Sequence, residues 1–150
     1  HELGFTYSSS VLPARSPLHG YPGLPRDPFT WPSGLVELPC PIASLGPVAA
    51  PYMGGVYLRA LPWPVVRWTW RRNGGGPAPL TYCHPYDFDT DEPYWVVPGA
   101  GRFGSRLLWI GLATMFDKLE KLFAGGAGPP LCELLHTADP AGAHVLPGVS

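Results

Sequence analysis

The chain is short of charge. Only 14% of its 150 residues are Asp, Glu, Lys or Arg, and the formal net charge is −1. That excludes a solvated disordered polyanion and a histone-like polycation, and it implies no charge-driven nucleic-acid or membrane partner. Cysteine is scarce as well: Cys40, Cys83 and Cys132 are three in number and widely spaced, so they give neither a disulfide framework nor a zinc ribbon and are expected as buried thiols. No apolar run is long enough to span a bilayer. The longest, "LLWIGLATMF" at 107–116, has about half of the ~20 residues a spanning helix needs and is expected in a core helix. Phosphate-loop, dinucleotide and nucleophile-elbow motifs are also missing. "GAGRFG" at 99–104 has the glycine spacing of G-x-G-x-x-G but no strand before it, and Ser8, Ser9 and Ser10 lack a G-x-S-x-G setting, so they read as hydroxyls that satisfy local backbone.

Proline and glycine are abundant, at 21 and 19 residues without a collagen-like period, so the chain is loop-rich. The opening "HELGF" has no methionine and no signal-peptide pattern; it reads as a last helical turn closed by Gly4, as if the chain began inside a domain. "FTYSSSV" at 5–11 predicts a short strand closed by Pro13. Residues 12–33 hold six prolines, yet carry Tyr21, Phe29 and Trp31, so this excursion is expected to pack down on a surface. "GLVELPC" at 34–40 alternates like a strand, with Glu37 read as an outward or edge residue. Helices are predicted over 62–72, ended by Asn73 and the glycines 74–76, and over about 103–124 with a break near Gly111. Between them "APLTYCHP" at 78–85 reads as a strand, and 87–101 as an acidic, proline-broken loop. Strand and helix in alternation point to an α/β arrangement with parallel pairing, in which functional side chains gather at the carboxyl ends of strands.

His84 stands at such an end, where Pro85 stops the ladder. The other histidines, His1, His19, His136 and His144, have no neighbour at a metal-ligand spacing and are expected in solvent. The acids Asp87, Asp89, Asp91 and Glu92 invite a calcium loop, but counting from Asp87 the sixth position is Glu92 rather than glycine and the twelfth is Pro98 rather than glutamate. A solvated acidic loop fits better.

Taken in order, "ELGFTYSSSVLP", "GLVELP", "PYMGGVYLRALPW", "PLTYCHPYDFD" and "FDKLEKLF" resemble the carboxyl-terminal half of polysaccharide deacetylases of the NodB-homology type, closest to the subfamily of exopolysaccharide and exosortase loci. The likeness runs over residues 1–135, leaving 136–150 as an expected disordered tail. It implies an α/β fold, the C-terminal half of a distorted, loop-rich (β/α)7 barrel, and an N-acetylated polysaccharide as partner. It further implies a divalent metal, zinc or similar, that activates water for hydrolysis in the complete enzyme. By position, His84 corresponds to the histidine that protonates the leaving amine. Leu80 and Tyr82 would line the pocket beside it. Tyr86 and Asp87 replace the family's tryptophan and glutamate, keeping a ring and a carboxylate. Arg59 matches the arginine after the "GG-Y" segment, in an expected loop near the barrel mouth; a site role and a salt bridge to Glu37 or the acidic loop both remain open.

The aspartate pair and the H-x-x-x-H metal pair of the family are absent here, and Ser8 stands where many relatives have aspartate. No metal is therefore expected to be fully coordinated by this chain, and it is expected to be inactive without the preceding half of the domain. A different reading is a non-catalytic carbohydrate-binding or scaffold module, since Trp31, Trp63, Trp68, Trp70 and Trp95 offer flat rings for sugar faces.

Overall fold

The computed structural model describes residues 3–15, 20–45, 48–73 and 80–137. His1, His19, His144, glycines 74–76, the first residues of the predicted strand at 78–85 and most of the predicted tail lie outside the described residues.

Two small sheets come first. β1 (Tyr7–Ser8) pairs parallel with β3 (Val36–Glu37), and β2 (Phe29–Thr30) pairs antiparallel with the other edge of β3, in the order β1-β3-β2. A tight turn joins β2 to β3: the Trp31 N–H donates to Leu35 O and the Gly34 N–H to Trp31 O, with Gly34 at φ 86°, where a side chain is strained. β4 (Ile42–Leu45) and β5 (Val48–Pro51) form an antiparallel hairpin with Ile42 opposite Pro51. The parallel arrangement expected from strand and helix alternation is seen for β1 with β3, while β2 with β3 and β4 with β5 pair antiparallel, as strands close in sequence commonly do. Of the strand predicted over 5–11, Tyr7–Ser8 form the ladder, and Val11 O accepts a further bond from the Cys40 N–H.

α1 (Gly55–Ala60) and α2 (Trp63–Asn73) follow. Pro62 precedes α2 and accepts the N–H groups of Val65 and Val66, and Arg71 and Arg72 lie in the last turn, where cations complement the helix dipole. The helix expected over 103–124 is divided into α3 (Gly101–Leu108) and α4 (Met115–Phe123), separated by a short 3-10 turn at Leu112–Thr114. Gly111 breaks it at φ 73°, and a Cβ there would collide with the carbonyl of Arg59. The "GAGRFG" stretch overlaps the start of α3.

The core gathers Ala43, Tyr52, Met53, Leu58, Val66 and Met115, with Trp63, Trp70, Phe88, Leu119 and Leu122 packed against it. Burial of these side chains is the main favourable term holding α1, α2 and α4 on the hairpin. Lys118 of α4 is buried, and its Nζ donates to the carbonyls of Leu58, Arg59 and Leu61 at 2.9, 2.5 and 2.8 Å. It thereby satisfies orphan acceptors at the end of α1. Burial and the nearby Arg59 push this ammonium below its ordinary pKa, against an opposing effect of Asp117.

Candidate functional site

Residues 80–84 run extended beside residues 53–55. The Tyr82 N–H donates to Met53 O at 3.3 Å, the Gly55 N–H to Tyr82 O at 3.1 Å, and the Thr81 hydroxyl to Met53 O at 2.5 Å. Gly54 and Tyr82 form a parallel bridge. This close approach needs glycine at 54, because a Cβ would run into the Tyr82 ring and carbonyl. The extended segment is therefore fixed at the amino end of α1, and His84 leaves it at a defined place.

At His84 the chain turns. Pro85 begins a 3-10 turn, Pro85–Asp87, and the Asp87 N–H donates to His84 O at 2.9 Å. Asp87 Oδ2 in return accepts the His84 N–H at 2.8 Å and faces His84 Nδ1 at 3.4 Å. The imidazole is half-exposed, with 51% of its side chain open to solvent. Its plane stacks on Tyr86 at a centroid distance of 4.8 Å and 8° between planes, and it meets the edge of Tyr82 at 6.3 Å and 84°. Burial first, then nearby Cys40, Tyr57, Asp87 and Tyr86, push the Tyr82 phenol above its ordinary pKa; burial and Asp87 do the same for Tyr86 against Arg59. Both phenols keep their protons at neutral pH.

Asp87 itself is fully buried, which corrects its assignment to a solvated acidic loop. Its partner is Arg59, 2% exposed, with Nε 2.9 Å from Oδ1. The N–H is not aimed at that oxygen, and neither atom completes a hydrogen bond, so the contact is Coulombic. Arg59 lies on α1 rather than in a mouth loop, and Nη1 donates to Leu108 O at 2.7 Å and Ile110 O at 3.4 Å. The open question of its partner resolves on Asp87, which does belong to the stretch read as acidic loop. The rest of that loop stays near the surface, where Asp89 Oδ1 accepts the N–H groups of Asp91 and Glu92.

His84, Tyr82, Tyr86, Asp87 and Arg59 are thus brought together. Arg59 and Leu80, expected beside the pocket, are both buried, and Arg59 reaches the ring cluster through Asp87. Asp87 carried a local signal that sequence reasoning passed over: a carboxylate three residues after the turn's first residue, with proline between, folds back onto that residue's N–H.

Glu37, expected at an edge, is 1% exposed. Loop 9–11 folds over it: Oε1 accepts the N–H groups of Ser10 at 2.7 Å and Val11 at 3.0 Å, and Oε2 faces the Ser10 hydroxyl at 3.5 Å and the Trp31 indole N–H at 3.3 Å. Of the expected buried thiols, Cys40 is buried, Cys83 partly so, and Cys132 exposed. Among the rings named for sugar stacking, Trp68 and Trp95 are exposed, while Trp63 and Trp70 pack on the core.

The described residues around His84 do not offer a ligand set for a divalent ion. Among the described residues no three His, Cys, Asp or Glu side chains cluster as ligands, and Asp87, the carboxylate beside His84, already faces Arg59 and the His84 N–H. Among the described residues no helix is long and apolar enough to cross a membrane.

No curated protein and no solved structure matches the chain. One family model, described as a domain of unknown function (DUF3473), matches residues 9–126; this domain is found in polysaccharide deacetylase-related proteins.

Proposed function

The chain belongs to the DUF3473 family, and from that premise we propose that it is the C-terminal part of a metal-dependent polysaccharide deacetylase, cleaving N-acetyl groups from amino-sugar polymers in exopolysaccharide formation. The observation that supports this reading is His84: a half-exposed imidazole on a fixed segment, walled by two tyrosines and backed by a buried carboxylate. A ring so placed can pass a proton to the leaving amine as the C–N bond breaks. Tyr86 and Tyr82 form an aromatic corner suited to a sugar face.

In the same proposal the described elements are the closing half of a loop-rich (β/α)7 barrel of NodB type, with residues 1–135 as its share. The metal, when bound, supplies Lewis-acid activation of water and carbonyl; it and the aspartate base belong to the half of the domain that precedes this chain. N-deacetylation of chitin-type oligosaccharides with added zinc or cobalt is expected from a chain extended upstream and not from this one. In the extended enzyme His84→Gln is expected to lower turnover by about 100-fold or more. Acetate release by the present chain alone would overturn its incompleteness, and an extended enzyme indifferent to His84→Gln would overturn the acid role.

A non-catalytic carbohydrate-binding or scaffold module is the second reading. It is favoured by exposed Trp68, Tyr94 and Trp95 and by a cavity of about 370 Å³ lined by Tyr94, Arg106, Trp109 and Ile110. Tryptophan quenching by oligosaccharide, with no turnover in the extended chain, would select it.

A further inference from the structure

We infer that Asp87 is the positioning residue of His84: it holds the ring in the tautomer with the proton on Nδ1, leaving Nε2 as the atom that exchanges protons with substrate, and Arg59 fixes Asp87 for that task. The inference rests on the acid role proposed above for His84.

Three observations carry it. Asp87 Oδ2 has two acceptor directions; one takes the His84 N–H at 2.8 Å and the other faces Nδ1 at 3.4 Å. A carboxylate only accepts, so it favours the Nδ1–H form of a neutral ring over the Nε2–H form. Oδ1 meanwhile stands 2.9 Å from Arg59 Nε, with both side chains fully buried. Arg59 in turn is held by the carbonyls of Leu108 and Ile110, so the carboxylate cannot swing away from the ring. At 3.4 Å the half-exposed imidazole meets Oδ2 through an electrostatic contact rather than a closed hydrogen bond, and its stacking on Tyr86 keeps Nδ1 on the carboxylate side.

The chemical consequence is directional. When the imidazolium gives up its Nε2 proton to a leaving amine, the neutral ring that remains carries its proton on Nδ1, against the carboxylate, without rearrangement. Asp87 lies within the turn that His84 itself opens, so the carboxylate is local to the ring, while the Arg59 that fixes it comes from α1.

The test is long-range ¹H–¹⁵N correlation NMR of this chain labelled at histidine, at an alkaline pH where the rings are neutral, with His84 assigned by His84→Gln. The expected result is an Nδ1–H tautomer for His84. Asp87→Ala, which removes both acceptor oxygens, is expected to shift the ring toward Nε2–H, while Asp87→Glu retains Nδ1–H. A wild-type His84 in the Nε2–H form, or a ring indifferent to Asp87→Ala, overturns the inference. The wild-type spectrum decides even if a variant fails to fold. This readout needs no turnover, so the tautomer can fail while His84→Gln still abolishes deacetylation in the extended enzyme, and the reverse outcome would sink only the acid role.

Discussion

Glu37 and Asp87 are both buried carboxylates, yet they are used in opposite ways. Glu37 has uncharged donors on both oxygens: two backbone N–H groups, a hydroxyl and an indole. Asp87 meets a guanidinium, one backbone N–H and an imidazole, and its Oδ1 has no aligned hydrogen. A saturated carboxylate staples loops together; an under-saturated one beside a histidine keeps capacity that proton transfer can draw on. The difference separates a structural polar knot from a candidate site without reference to any relative.

The ion pair gives the largest effect by which this contrast can be broken. Arg59→Leu or Asp87→Leu alone leaves a buried charge uncompensated, and each is expected to cost about 3–5 kcal/mol, whereas the double variant recovers most of the loss. Urea melts showing equal losses in single and double variants would remove the pair from the account. Glu37→Ala comes next: it strands the Ser10 and Val11 N–H groups and is expected to cost about 2–3 kcal/mol, with the His84 tautomer unchanged. A moved His84 signal would show that the two carboxylates are not independent. The smallest effect is a pH slope on the Glu37 side. Burial, and then Glu37, push the Cys40 thiol up from its ordinary 9.0 to about 11. The folded chain keeps this proton after the unfolded chain has lost it, so Cys40 lowers stability as pH rises across that window. Cys40→Ala is expected to flatten the slope, and alkylation of Cys40 to lag behind that of exposed Cys132; equal labelling rates would contradict the shielding.

Local features were legible in the sequence. Helix α2 was expected at 62–72 and lies at Trp63–Asn73, because proline and glycine mark its ends. The break near Gly111 follows from the same residue type, and His84 does sit where an extended segment stops at Pro85. Illegible were the polar residues whose partners come from far along the chain. Glu37 alternates like an edge residue until loop 9–11 covers it. Asp87 reads as one acid among four until Arg59 of α1 is placed beneath it. Lys118 sits on the polar stripe of its helix, yet it ends up under α1. Hydropathy pattern encodes a preference for water, and a sufficient set of buried partners overrides it.

Lys118 also sets a practical limit on trimming the protein. Its amine is the splint on the last turn of α1, reaching back to Leu58, Arg59 and Leu61. A fragment designed for labelling or crystallisation that ended before α4 would keep every residue of the histidine turn, yet lose the brace under the arginine that anchors it. The shortest useful piece therefore extends through Phe123, well past Asp87, where the histidine turn ends.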